Sequence, residues 1–152
     1  GLGWEIIVGC PDHAGLLADV SGVLAAHGVS VAGAYTGATL SGYAICTFVV
    51  SGNARVLASS DTVDALTEVL KNTALQNEGD YSPQIFARRR SARNYAAGVP
   101  VSPTRILYDL GAADKSTVLD VFTPDRVGVL HLIARVIFEN IYQSSLYVRS
   151  NK

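Results

Sequence analysis

The sequence predicts an α+β protein made of two copies of one small βαββαβ module, with antiparallel sheets covered by helices on one face. The main observation is a repeat: residues 11–17, Pro-Asp-His-Ala-Gly-Leu-Leu, return 113 positions later as residues 124–130, Pro-Asp-Arg-Val-Gly-Val-Leu. The apolar positions that follow keep this offset: Leu16, Leu17, Val20, Val23 and Leu24 correspond to Val129, Leu130, Ile133, Val136 and Ile137. Identity between the copies is low, so they share a physical pattern of strand, glycine turn and amphipathic helix.

The first module, residues 1–88, is predicted to contain four strands and two helices. In order, these are a strand at 4–10, a helix at 15–27, strands at 29–36 and 43–50, a helix at 61–74 and a strand at 84–88. The first helix has its apolar residues at helical spacing, and Gly28 is placed to close it in the left-handed conformation. Asp61 is the predicted N-cap of the second helix. The inward residues of that helix are predicted to be Val63, Leu66, Val69, Leu70 and Thr73.

Residues 89–103 are predicted to be a basic linker rich in proline and glycine. The basic run that leads into it, Arg88 to Arg93, fits either a solvated connector or a contact with an acidic surface elsewhere in a larger protein. Residues 104–152 then predict a hairpin (strands 104–110 and 115–123 around a turn at 111–114), a helix at 128–140 and an extended segment at 141–149. This second module is incomplete, because it lacks counterparts of residues 43–50, 61–74 and 84–88.

Composition excludes several classes of function. The chain has 152 residues, 49% of them hydrophobic, and a net charge of −1, which does not favour binding to nucleic acid or an anionic membrane. No apolar run approaches the roughly 20 residues that span a bilayer. The chain begins Gly-Leu-Gly-Trp without a signal peptide or a methionine, so we interpret it as a piece of a longer cytoplasmic protein. The two cysteines, Cys10 and Cys46, lie in apolar strands and are predicted to be buried, reduced thiols.

The repeated turn is the best candidate for a binding site. A turn after the first strand of a ferredoxin-like module lies at the sheet edge, where the backbone N–H groups at the start of a helix can hold a small carboxylate. Gly15 and Gly128 would let a ligand approach the backbone, and Asp12 and Asp125 could accept a hydrogen bond from an ammonium group. This combination suits an amino acid. The alternative is that each aspartate only caps its helix and each glycine only makes a tight turn.

No catalytic constellation is visible, and neither a metal nor a cofactor is expected. The three histidines do not have metal-ligand spacing. His27 is predicted at a helix C-terminus, where the helix dipole favours it, and His131 on the surface of its helix. The modules are expected to pair, within the chain or in a homodimer, through an edge strand and a face of small residues formed by Ser30, Ala32 and Ala34.

On the two turns, residues 10–17 and 123–130, the chain resembles the ACT domain, a small βαββαβ module that binds amino acids and regulates metabolic enzymes. Two such modules about 110 residues apart, joined by a basic linker and a hairpin, resemble the C-terminal regulatory region of the PII uridylyltransferase/uridylyl-removing enzyme family, particularly its actinobacterial type. The resemblance covers residues 4–149. It implies a sensor of glutamine without catalytic activity of its own, since the chemistry of that family belongs to nucleotidyltransferase and phosphohydrolase domains elsewhere in the parent chain.

The resemblance also implies which residues face the ligand: Asp12, His13, Ala14, Gly15, Leu16 and Leu17 in the first turn, and Asp125, Arg126, Val127, Gly128, Val129 and Leu130 in the second. His13 and Ala14 replace the Arg-Pro more usual in the family, which predicts weaker binding at the first turn. Two alternatives stay open. One is a stand-alone tandem-ACT regulator that acts by protein–protein contact, and the other is the N-terminal region of a formyltetrahydrofolate deformylase.

Overall fold

Five strands and four α-helices make up the fold, in a computed structural model that describes residues 3–50, 55–76, 81–93, 103–113 and 116–140. In chain order the elements are β1 Trp4–Pro11, α1 Leu16–Ala26, β2 Val31–Ala38, β3 Tyr43–Val50, a 3-10 helix Arg55–Ala58, α2 Ser60–Gln76, α3 Ser82–Arg93, β4 Arg105–Ala113, β5 Ser116–Phe122 and α4 Val129–Asn140. The predicted α+β class with a ferredoxin-like βαββ pattern is confirmed. Among the described residues, no helix is long and apolar enough to cross a membrane.

The first module is an antiparallel sheet in the order β1-β3-β2, with helices on one face. Its inner face alternates along β3, where Ala44, Cys46, Phe48 and Val50 are all buried. These side chains pack against the predicted apolar face of α1, in which Val20, Val23 and Leu24 are fully buried. The opposite face of the sheet is open in the described part of the chain and carries exposed apolar side chains: Ile7, Tyr35, Tyr43 and Ile45.

A bulge in β2 changes the predicted faces of that strand. Val31 pairs with Val50 and Gly33 pairs with Val49, so β2 has one extra residue between these two pairs. After the bulge, Ala34 lies opposite Phe48 and is buried in the core. The prediction that Ala34 belongs to a small-residue face free for contact is therefore wrong. The bulge reverses which residues point inward.

Helix α1 begins and ends at glycines in the left-handed region. Gly15 occupies the N-cap position with φ 85°. Gly28, with φ 78°, follows the last turn, where its N–H donates to Ala25 O at 3.0 Å and the Val29 N–H donates to Leu24 O at 2.9 Å. These two bonds satisfy carbonyls that would otherwise have no partner at the helix end. The predicted closure of the helix by Gly28 is confirmed, and so is the place of His27 at its C-cap.

Helix α2 covers the sheet beside α1, and its buried residues Leu66, Leu70 and Thr73 are among those predicted to point inward. The helix begins at Ser60, so Asp61 lies in its first turn and is not the N-cap. A carboxylate in the first turn still interacts favourably with the helix dipole. The N-cap position is Ser59, whose carbonyl accepts from the Val63 N–H at 3.0 Å, so the predicted capping position was wrong by two residues.

The predicted strand at 84–88 is wrong, because these residues belong to helix α3. Pro83 lies in the first turn, where its missing N–H leaves no helix bond unmade. Ile85 is buried, and Arg88 Nε donates a 2.6 Å hydrogen bond to Ala26 O at the end of α1. The basic run is thus helical up to Arg93, and residues 94–102 of the predicted linker lie outside the described residues.

The second module consists of the antiparallel β4–β5 hairpin and α4. Strand β5 and helix α4 occupy the predicted positions, and β4 continues to Ala113, through three of the four residues predicted to form the turn. The predicted extended segment at 141–149 lies outside the described residues.

The two modules meet through α1 and α4, which pack against each other. The Cα of Gly15 faces the Phe138 ring, and the Cα of Gly128 faces Ala25. Gly128 is the counterpart of Gly15 in the repeat, and Phe138 is the counterpart of Ala25, so these are the same contact made twice. Contact in this chain is therefore made by the helices, whereas the expected pairing through a sheet edge is not seen among the described strands.

His131 lies at this contact, so its prediction as a surface residue is wrong. Its side chain is 8% exposed, and Nδ1 lies 2.6 Å from Ala18 O, its own counterpart in the repeat. A Cβ at Gly22 would lie 2.8 Å from the same nitrogen, so the absence of a side chain at Gly22 makes room for the imidazole. The spacing of apolar residues in α4 does not indicate that α1 packs against the side of the helix that carries His131.

Candidate functional site

The two turns have the same backbone geometry. In the first, the Leu16 N–H donates to His13 O at 3.3 Å and the Asp19 N–H donates to Gly15 O at 3.0 Å. In the second, the Val129 N–H donates to Arg126 O at 3.1 Å and the Leu132 N–H donates to Gly128 O at 3.0 Å. Both glycines have positive φ, 85° and 71°. The repeat in sequence is thus a repeat in local structure, because a glycine in the left-handed region is what turns the chain from strand to helix.

The first turn (residues 12–17) is held on two sides. The Asp12 N–H donates to Gly42 O at 2.8 Å, which attaches the turn to the β2–β3 hairpin. His13 Nε2 lies 3.2 Å from Ala74 O near the end of α2, and Nδ1 lies 3.2 Å from Ala14 O. Both partners are carbonyls, so each bond needs an N–H, and a neutral ring makes only one of them. His13 therefore attaches the turn to α2 and does not extend freely towards a ligand.

The six residues predicted for the first turn have different environments. Asp12 and Ala14 are exposed, His13 is half-buried, and Gly15 lies under the Phe138 ring, whose atoms are 3.4 Å from the position of a Cβ. Leu16 is buried in the core at 4% exposure, and Leu17 is partly buried against it. The counterpart of the α1–β2 connection, which follows residue 140, lies outside the described residues.

All six residues predicted for the second turn (residues 125–130) line one cleft between the modules. The opposite wall comes from the first module, at the end of α1 and the start of β2. It includes Gly28, Val29, Ser30 and Val31. Asp125 and Arg126 are exposed at this cleft, while Leu130 reaches the core of the first module. The cavity volume is about 50 Å³, enough for the polar end of an amino acid and far less than the roughly 300 Å³ of a drug-sized pocket.

Gly128 contacts helix α3 and does not face open space. A Cβ there would lie 2.7 Å from Ile85 Cγ2 and 3.5 Å from Ala25 Cβ. The glycine is needed for its positive φ and for the close packing of Ile85, which sequence reasoning did not anticipate. Two polar residues of the cleft were not predicted from the sequence. Ser30 lies there because of the α1–β2 connection, and His131 also lines the cleft.

Asp19, in the first turn of α1, carries a carboxylate outside the cleft lining. Its Oδ2 is buried and has no hydrogen-bond partner among the described residues. Burial raises the pKa of the Asp19 carboxyl, and its interactions with His13, His131 and Arg135 offset part of the rise. Arg135 makes a 2.7 Å ion pair with Glu139 on the surface of α4.

The cysteines lie away from the cleft, on the inner face of the sheet. Both are buried and free, as predicted. Burial, with smaller contributions from Cys10 and Asp12, raises the pKa of the Cys46 thiol to about 11. Burial first, and Asp12 second, also raises the pKa of Cys10. A high thiol pKa means little thiolate at neutral pH, so these residues are structural.

A βαββ sheet with helices on one face and a glycine turn before its first helix define a ferredoxin-like α+β module. Residues 4–59 match the family model of the ACT domain. The first module of this chain therefore carries an ACT domain, as the resemblance of its turn implied.

Several proteins similar to this chain carry the same enzyme name. A bifunctional uridylyltransferase/uridylyl-removing enzyme from Erythrobacter litoralis is 29% identical over 129 residues, covering 85% of this chain and 14% of that protein. Proteins of the same name from Gluconobacter oxydans and Caulobacter vibrioides are 31% and 25% identical, over 84% and 90% of this chain. The chain spans about 14% of the length of these relatives. No solved structure matches the chain.

Proposed function

We propose that this chain is the amino-acid-sensing regulatory region of a bifunctional uridylyltransferase/uridylyl-removing enzyme and that it binds glutamine at its Asp-x-x-Gly turns. The ACT match and the names of the relatives support the regulatory role, and they do not favour the alternatives of a stand-alone regulator or a deformylase region. Catalysis, control of nitrogen metabolism and the cytoplasmic location belong to the proposed parent chain, in which this region contacts the catalytic domains.

The observation that carries the proposal is the cleft at the second turn. Residues 125–130 bring together the backbone at the start of α4, an exposed Asp125 carboxylate and an exposed Arg126 guanidinium. Helix N-terminal N–H groups attract a carboxylate, and Asp125 can accept hydrogen bonds from an ammonium group. Groups of opposite charge beside one helix start match the ammonium and carboxylate groups of an amino acid.

Binding is expected to be weak. A ligand of about ten heavy atoms at roughly 0.5 kcal/mol per atom reaches about 5 kcal/mol, which corresponds to a Kd of about 0.1–1 mM. Calorimetric titration of the chain with glutamine, with glutamate and serine as controls, measures it directly. Heat from glutamine alone supports the proposal, whereas no heat and no thermal shift at about 10 mM of any amino acid contradicts it.

Exposed charges on the turns provide variants that leave the packing intact. Asp125→Asn should weaken glutamine binding about tenfold, because a charge-assisted hydrogen bond is lost. Asp120→Asn, at an exposed position of β5 outside the cleft lining, is the matched control and should bind like the parent chain. Asp12→Asn tests the first turn in the same way. Equal affinity in Asp125→Asn and Asp120→Asn would remove the second turn from the proposed site.

A further inference from the structure

His131 combines two features that the regulatory role alone does not explain. The residue lines the cleft at the second turn, yet it is more than nine-tenths buried. Its Nε2 is a buried polar atom without a hydrogen-bond partner among the described residues. Native proteins leave few buried polar atoms unpaired, and each such atom calls for a reason.

The contact of the other ring nitrogen determines what Nε2 can do. Nδ1 lies 2.6 Å from Ala18 O, and a carbonyl oxygen only accepts, so Nδ1 carries the proton and donates it. In the neutral ring, Nε2 is then an acceptor with a free lone pair. The tight fit of the ring against Gly22 and the bond to Ala18 hold this orientation in place.

We propose that His131 Nε2 accepts a hydrogen bond from the side-chain amide of the ligand and so makes the cleft prefer a carboxamide to a carboxylate. This inference rests on the proposed function, since it concerns the selectivity of the same site. His131 lies three residues after Gly128 in α4, about 4.5 Å of helix rise, a distance that the side chain of glutamine can span from the turn. Because Nε2 is itself buried, the amide reaches it when the cleft widens around the ligand.

A hydrogen bond to Nε2 should let the cleft discriminate between ligands of almost equal shape. Glutamine offers an N–H to Nε2. In glutamate a carboxylate oxygen would face the lone pair, and in 5-oxo-L-norleucine a methyl group replaces the amide nitrogen. Calorimetric titration of the full chain near neutral pH with all three should show glutamine binding about tenfold tighter than either analogue.

A substitution at His131 tests the source of the discrimination. His131→Phe keeps an aromatic ring and removes both nitrogens, so glutamine should bind no tighter than 5-oxo-L-norleucine, while affinity for the ketone changes by about twofold or less. Leu132→Phe, at an exposed neighbouring position of α4, is the control and should keep the full preference.

Each outcome decides the proposal. Parent chain that binds the ketone or glutamate as tightly as glutamine overturns it, and so does His131→Phe that retains the preference. If His131→Phe does not fold, the affinities of the parent chain for the three ligands still test the proposal. Absence of binding by every ligand is a different result, because it refutes the proposed function on which this selectivity depends.

Discussion

Replacing Gly22 with alanine tests whether α1 and α4 pack as closely as the structure places them. A Cβ on Gly22 would lie 2.8 Å from His131 Nδ1 and 3.1 Å from Tyr81 Cδ2. Such a distance to Nδ1 is too short for a carbon, so the imidazole has to move. The ring is held by its hydrogen bond to Ala18 O, and movement lengthens or breaks that bond.

Two opposing effects set the magnitude. In a helix that faces solvent, glycine to alanine stabilises by up to about 1 kcal/mol. Here, excess volume in a packed contact costs about 1–3 kcal/mol, and loss of the buried hydrogen bond adds about 0.5–1.5 kcal/mol. We therefore expect Gly22→Ala to lower the free energy of unfolding by about 1–3 kcal/mol, which lowers Tm by roughly 2–4 °C per kcal/mol in a chain of this length.

Urea titration and thermal melting followed by circular dichroism measure the change, after a check that unfolding is two-state. Gly37→Ala is the control, since a Cβ at Gly37 in β2 would have nothing within 4 Å. In a His131→Ala background most of the cost should disappear, leaving the 3.1 Å approach to Tyr81. Stabilisation of the parent chain by Gly22→Ala would refute the described packing of the two modules.

Three further predictions concern the core, the thiols and the buried carboxylate. Leu24→Ala should cost about 2–5 kcal/mol, because Leu24 is fully buried, whereas Leu40→Ala at a fully exposed position should change stability by less than about 0.5 kcal/mol in the same urea titration. At pH 8 the Cys46 pKa of about 11 leaves roughly one thiol in a thousand ionised, so iodoacetamide should label Cys46 only after denaturation, and rapid labelling of the native chain would contradict its burial. The raised pKa of Asp19 means that the folded state binds a proton more tightly than the unfolded state, so the Asp19 contribution to stability is full below the unfolded pKa and is lost as pH rises through the folded pKa. Asp19→Asn should therefore be more stable than the parent near neutral pH and lose that advantage in acid, and an unchanged pH profile would count against the burial of the carboxylate.

Local signals in the sequence were sufficient for most elements. Residues 43–50 were predicted as a strand and form β3 with the same bounds, because alternating β-branched and aromatic residues follow a glycine turn. Gly28 closes α1 as predicted, and α4 begins one residue after the predicted start. In each case the interactions that form the element lie within a few residues of the sequence pattern that predicts it.

The wrong predictions concern residues whose structure or burial depends on contacts with distant parts of the chain. The segment predicted as a strand at 84–88 is helical, and Ile85 is buried against the second turn. Pro83 near the start of the segment was the available signal for a helix. Gly33 was a similar signal for the bulge that turns Ala34 inward. His131 gave no local signal, since its burial depends on the contact between two helices more than 100 residues apart.

The cleft belongs to neither module alone. One wall is the start of β2 in the first module, the other is the second turn, and Ile85 of α3 packs against that turn. Under the proposed function, a ligand that touches both walls binds only when the modules are paired, and by linkage its binding must stabilise the pairing. The repeated module thus has a physical reason to be present twice, because a second copy supplies the missing wall of the site. Module pairing is then the change by which a small amino acid could alter the rest of a long chain.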